Sequence, residues 1–269
     1  MLRADGCDSD FRRAIRYGSQ LFAPHTGGVR YGVDTNEVPP DFRRIRLVLG
    51  RSPHFNTLPG GILDRLARLS RIERYKGGEL IHAGWQPADK AWLVLTGGLR
   101  VALLGKNGSA VTIAVIGEGS YYSAGSLLKG EVVESEARAI GRTAAAAVDM
   151  SRVERDFAGD KVVERHIRQL VYRRLRATID LYRDAVAVPL PQRIARRLLG
   201  QALAAGHAEV ELPISQADLA EMLGASRSKV NAELRRIEGT GAVRLGYRKI
   251  SVTDMTRLTA AAGTVVMPF

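Results

Sequence analysis

The stretch 214–238, ISQADLAEMLGASRSKVNAELRRIE, reads as two short helices joined by a tight turn. Ser215 stands where an N-cap belongs, and Leu219, Ala220, Met222 and Leu223 recur after it at helical spacing. Gly224 follows, where a left-handed residue ends a helix without a Cβ clash. Ser226 can cap the second helix, whose buried face is Val230, Leu234 and Ile237. Arg227, Ser228, Lys229, Asn231, Arg235 and Arg236 then remain outward. A helix-turn-helix needs this pattern, because the first turn of its second helix meets base edges while flanking basic groups meet phosphates. Ser215 and Gln216, which open the first helix, join the candidate DNA contacts. The plainer alternative is a helical hairpin with a solvated basic face.

Charge supports the first reading. The 269 residues carry 40 Lys and Arg against 28 Asp and Glu, and eight of the twelve excess positive charges fall in residues 161–269. Residues 52–160 are nearly balanced, at 13 basic and 12 acidic. A polyanion partner for the last third follows, and a uniformly basic surface does not. The single cysteine, Cys7, excludes an internal disulfide and a cysteine-held zinc site or iron–sulfur cluster within one subunit. The five histidines show no metal-ligand spacing. His82, in a strand context, reads as structural, and haem has no support. No apolar run reaches membrane-spanning length and no signal segment opens the chain, so a soluble, cytoplasmic protein is expected.

The rest of the chain falls into blocks. Residues 1–51 mix arginine, glycine, proline and scattered aromatics, and read as an N-terminal extension, flexible by composition. Within them 41–51 reads as helix or strand. Gly60–Leu69 is a short amphipathic helix. Brief apolar segments follow at 80–81, 91–95, 99–104, 111–116, 121–122, 137–140 and 144–148, with turn signals at Gly77-Gly78, Gly97-Gly98, Lys106-Asn107-Gly108 and Glu118-Gly119. Short strands at such spacing predict an antiparallel barrel or sandwich over 52–160. GKNGS at 105–109 lacks the spacing of a phosphate loop and reads as a hairpin turn. Residues 161–187 predict one long helix, with Val163, Ile167, Leu170, Val171, Leu175, Thr178, Tyr182 and Ala185 stepping by threes and fours. Ile167, Val171, Leu175, Thr178 and Tyr182 are its candidate seam with a second copy. Pro189 and Pro191 end it, and a winged helix-turn-helix is expected over 188–269, with Arg248 and Lys249 at the tip of a β-hairpin wing.

This order of parts resembles the Crp/Fnr family of bacterial transcription regulators. The likeness is carried by LGASRSKVNAELRRIEGTGAVRL (223–245), by the glycines of LIHAGWQPADKAWLVLTGGLRVAL (80–103), and by Pro191–Ala195. It implies an α+β chain: an antiparallel β-roll, a long dimerisation helix and a C-terminal winged helix-turn-helix. It also implies a homodimer on a palindromic double-stranded site, with RNA polymerase as a further partner. Ser226 and Arg227 match the family's contacts to phosphate and a base edge, while a further family arginine falls on Ala232. In cyclic-nucleotide binders a Gly-Glu-Leu segment holds the ribose and an Arg-Ser pair holds the phosphate. Here these positions read Ser123-Ala124-Gly125 and Glu134-Ser135, and on the long helix Thr178 is followed by Ile179. A carboxylate facing a phosphate repels it. The expectations are therefore no cyclic AMP, no iron–sulfur cluster, and an unknown small-molecule effector or none. A cyclic-nucleotide-controlled enzyme or channel would need a catalytic or membrane segment, and residues after 160 offer none.

Overall fold

The computed structural model describes residues 41–87, 89–105, 109–123, 132–205 and 210–263. The elements are α1 (Phe42–Arg51), α2 (Gly60–Leu69), β1 (Arg71–Tyr75), β2 (Leu80–His82), β3 (Gln86–Pro87), β4 (Lys90–Leu104), β5 (Ala110–Gly117), β6 (Tyr121–Tyr122), β7 (Val132–Val133), β8 (Ser135–Asp149), α3 (Met150–Asp156), α4 (Lys161–Ala187), α5 (Leu190–Ala205), β9 (Val210–Leu212), α6 (Gln216–Met222), α7 (Arg227–Gly239), β10 (Val243–Gly246), β11 (Lys249–Val252) and α8 (Met255–Ala262).

The main sheet is antiparallel, in the order β1-β8-β4-β5, with β2 also on β8 and β6 also on β4. Two strands of 15 residues, β4 and β8, form its spine. Sequence reading splits each of them in two, with a turn at Gly97-Gly98. The glycines instead mark irregular register within one strand, between Val94 and Thr96 and again before Gly98. Gly97 has φ +80°, and a Cβ there would lie 2.6 Å from the Arg142 carbonyl oxygen and 2.7 Å from Thr143 Oγ1. The backbone can bend back against β8 only because that atom is absent.

Both faces of the spine are covered, which explains its unbroken apolar runs. Leu93, Leu95, Ala144 and Ala146 pack with Ile45, Leu49, Ile62, Leu63 and Phe157 under the helices. Trp92, Val94, Ala145 and Ala147 face the other way and pack with Leu99, Val101 and Tyr122. Helix α1 therefore belongs to this core, whereas sequence reading placed 42–51 in the extension. Residues 1–40 and the turn 106–108 lie outside the described residues. The strands flanking that turn pair as a hairpin, Leu104 opposite Ala110.

Helix α4 runs 27 residues from its Asp160 cap, whose Oδ1 accepts from the Val162 and Val163 amides at 3.0 and 3.3 Å. It ends at Val188, in extended conformation ahead of Pro189. Pro191 sits in the first turn of α5, where its missing N–H costs nothing. The predicted single stripe on α4 divides into two. His166 and Ala177 are buried on the near side, with Val163 and Leu170 partly covered. Val171, Tyr172, Leu175, Ile179, Tyr182 and Val186 are all exposed on the other. Beyond α4, the core of Ile194, Leu198, Leu219, Val230, Leu234, Ile250 and Leu258 holds α5–α8 to the small sheet β10-β11-β9.

The last part is docked on β5, the edge of the main sheet. Arg197 donates to the Ile113 carbonyl at 2.5 Å and Gln201 Nε2 to the Val115 carbonyl at 2.8 Å. The Thr112 amide donates to Glu221 Oε1 at 2.8 Å. Arg100 and Asp218 pair at 3.6 Å beside them, and Pro213 lies against Gly98. The backbone groups that an edge strand leaves open are thus met by side chains.

Candidate nucleic-acid interface and effector pocket

Ser215 and Asp218 form a reciprocal capping box at the start of α6: the Asp218 amide donates to Ser215 Oγ, and the Ser215 amide to Asp218 Oδ2, each at 3.1 Å. Such a cap is worth about 1 kcal/mol. Gly224, at φ +59°, turns the chain, and the Ala225 amide closes back on the Ala220 carbonyl at 3.0 Å. Ser226 caps α7 by accepting from the Lys229 amide at 3.4 Å. Val230, Leu234 and Ile237 are buried behind it. Ser226, Arg227, Ser228 and Lys229 consequently stand exposed on one turn, with Arg235 exposed further along. No carboxylate lies within ion-pair distance of Arg227, Lys229 or Arg235 among the described residues.

Gln216, Asn231 and Arg235 meet in one hollow of about 610 Å³ with Glu238, Leu245 and Gly246. Glu238 accepts from the Leu245 amide at 2.7 Å and so ties the wing to α7. Sequence reasoning missed this acid, because nothing in its spacing marks a bond to a strand seven residues on. The wing turns through Tyr247 and Arg248, the latter at φ +56°, and Tyr247 is 89% exposed. Lys249 is not wholly available for a phosphate, since its Nζ lies 2.6 Å from Glu211 on β9.

The six effector-pocket positions do not assemble in the same way. Ala124 lies outside the described residues, and Ser123 is half-buried. Glu134 is exposed. Ser135 is engaged by Tyr122, whose hydroxyl lies 3.1 Å from Ser135 Oγ and 3.3 Å from its carbonyl oxygen. Burial pushes the Tyr122 phenol up to about 12, so it stays protonated. Trp92 stacks on Tyr122 at 5.8 Å, and the buried His82 packs against both rings. Burial also lowers the His82 pKa, so that ring reads as a neutral packing residue. Thr178 spends its hydroxyl on the Arg174 carbonyl at 3.0 Å, and Ile179 is exposed. Of the six, Thr178 alone among the described residues lines the large cleft between β5, α4 and α5. No described group of three or more His, Cys, Asp or Glu side chains is placed to hold a metal ion, and no described helix is long and apolar enough to cross a membrane.

Comparison with known proteins agrees with this architecture. The family model for the Crp-like helix-turn-helix domain matches residues 192–261, and that for the cyclic nucleotide-binding domain matches residues 72–158. The chain is 22% identical over 220 residues to the CRP-like cAMP-activated global transcriptional regulator of Mycobacterium tuberculosis (strain ATCC 25618 / H37Rv), covering 80% of this chain and 98% of that one. It is 26% identical over 200 residues to the HTH-type transcriptional regulator Cmr of Mycobacterium tuberculosis (strain CDC 1551 / Oshkosh), covering 74% and 80%. The structure of FixK2 from Bradyrhizobium japonicum has the same fold, with a TM-score of 0.62 at 23% identity over 73% of this chain and 99% of that one. The chain thus carries a cyclic nucleotide-binding domain followed by a Crp-like helix-turn-helix domain, and it resembles Crp-like transcription regulators in sequence and fold.

Proposed function

We propose that the protein works as a homodimer on a palindromic operator, in the cytoplasm, reading each half-site with the first turn of α7. The observation that carries this reading is the turn itself: Ser226–Lys229 exposed in front of the buried Val230, Leu234 and Ile237. Ser226 and Ser228 would bind phosphate and Arg227 a base edge, with guanine the natural partner of a guanidinium. Asn231 and Gln216 would add contacts from the neighbouring hollow, and Arg235 and Arg248 would lie along the backbone. The apolar side chains left open on α4 supply a seam to a second copy, which would set two reading helices about 34 Å apart. RNA polymerase is the further partner of such a regulator. Selection on random duplex DNA tests the reading directly. A palindromic consensus with two half-sites one helical turn apart is expected, and recovery of no consensus would refute it.

The effector in this reading is not cyclic AMP. Glu134 and Ala124 replace the arginine and glutamate that grip the sugar-phosphate, and Ser135 already has Tyr122 as its partner. The Tyr122–Trp92 stack also favours a second reading, a constitutive regulator whose β-roll serves only for dimerisation. DNA binding by the purified protein, with and without metabolite extract, separates the two.

A further inference from the structure

A cleft of about 960 Å³ runs between β5, α4 and α5, beside the helix-turn-helix. Its size is that of a small-molecule site. Its walls are largely apolar, and Val111 and Ile113 on β5 present exposed side chains to it. The acids on those walls are largely spoken for. Asp184 is held by Arg196 at 2.6 Å, Glu211 by Lys249 at 2.6 Å, and Glu221 accepts the Thr112 amide. Glu118, at the turn after β5, is solvent-exposed. Arg174 and Arg193 also line the cleft, and neither has a carboxylate within ion-pair distance among the described residues. Arg174 lies over the Tyr121 ring at 5.8 Å. Arg193 gives one terminal nitrogen to the Leu223 carbonyl at 3.2 Å, at the turn of the helix-turn-helix, while its Nε is buried without an acceptor. Two turns along the same face of α5, Gln201 Oε1 is buried without a donor.

A buried guanidinium N–H with no acceptor, beside uncompensated positive charge and an open apolar wall, is complementary to one kind of molecule. We propose that this cleft binds a small amphipathic carboxylate, its head on Arg193 and its apolar body along Ile113 and Val111. A hydroxyl on that body would answer Gln201. The site is separate from Ser123, Glu134 and Ser135, which do not line it. Calling the ligand an effector rests on the regulator reading above; its binding does not.

The test uses the full chain and two probes. 1-Anilinonaphthalene-8-sulfonate, an apolar anion, should bind saturably and be displaced by decanoate but not by decanol. Arg193→Gln should weaken decanoate at least tenfold while the melting temperature holds. Should that variant fold poorly, Ile113→Glu places a like charge on the exposed wall and should abolish displacement. Equal displacement by decanol, displacement by cyclic AMP in place of decanoate, or unchanged decanoate affinity in the variants would each overturn the site. A failure here leaves DNA selection by the unliganded protein unaffected, so the two readings fall separately.

Discussion

Arg227 and Arg235 lie two turns apart on α7, and their surroundings assign them different work. Arg227 is in the exposed first turn, so Arg227→Ala should cost about 1–3 kcal/mol on the preferred site and relax the choice at one base pair. Arg235 lines the hollow beside the wing, so Arg235→Ala should weaken all sequences alike and lower the salt slope by roughly one unit. Binding selection and salt titration of the two variants check this, and full specificity in the Arg227 variant would remove α7 as the reader. His54 makes a prediction about pH. Burial holds its imidazole down at about 4 from an ordinary 6.5, helped by the charges of Arg173, Arg174 and His166. Between those values the unfolded chain binds a proton that the folded chain refuses. Stability is therefore complete above pH 6.5 and falls as pH drops toward 4, by up to about 3 kcal/mol. His82 and His166, also lowered by burial, act in the same sense. Urea unfolding at pH 7 and 4.5 should show a smaller loss in His54→Gln than in the parent. An equal loss would place the proton elsewhere.

At the scale of the element, α4 carries the sharpest test. Leu175 is 56% exposed and flanked by Val171, Ile179 and Tyr182. In the proposed homodimer, Leu175→Asp should leave the folded subunit intact and separate the two copies, because the charge would be unpaired once the seam closed. Sedimentation decides it, and an unchanged dimer would mean that another surface joins the copies. The elements also show what a sequence can disclose. The caps of α6 and α7 and the turn between them were legible, since Ser215, Gly224 and Ser226 act locally. The spine of the sheet was not. Gly97 signals a turn when read alone, and it becomes a kink within a strand only because Arg142 and Thr143 of β8 lie against it. The same limit explains α4, where one periodic run conceals a buried face and an exposed one. In the pocket, the substitution at Glu134 was visible, but Tyr122 on Ser135 was not, since the two residues meet only through the fold.

For the whole molecule, the expected response to cyclic nucleotides is none. Calorimetry at millimolar cyclic AMP or cyclic GMP should show no saturable heat, and DNA affinity should not change with either. Saturable micromolar binding would overturn the reading of Glu134 and Tyr122. The docking of α5 and α6 on β5 has a consequence for solubility. Arg197, Gln201 and Glu221 take up backbone groups of β5 that would otherwise face solvent, on a strand whose Val111 and Ile113 are already exposed. The helix-turn-helix part thus covers an edge that would otherwise be open to strand pairing between molecules. Whatever swings that part away uncovers a sticky ribbon, so large excursions carry an aggregation hazard that confines it to small ones. A chain cut after Ala187 should retain the strands of the main sheet and yet grow in light scattering with time and concentration, where the full chain stays clear. A charged residue at position 113 of the shortened chain should quieten it.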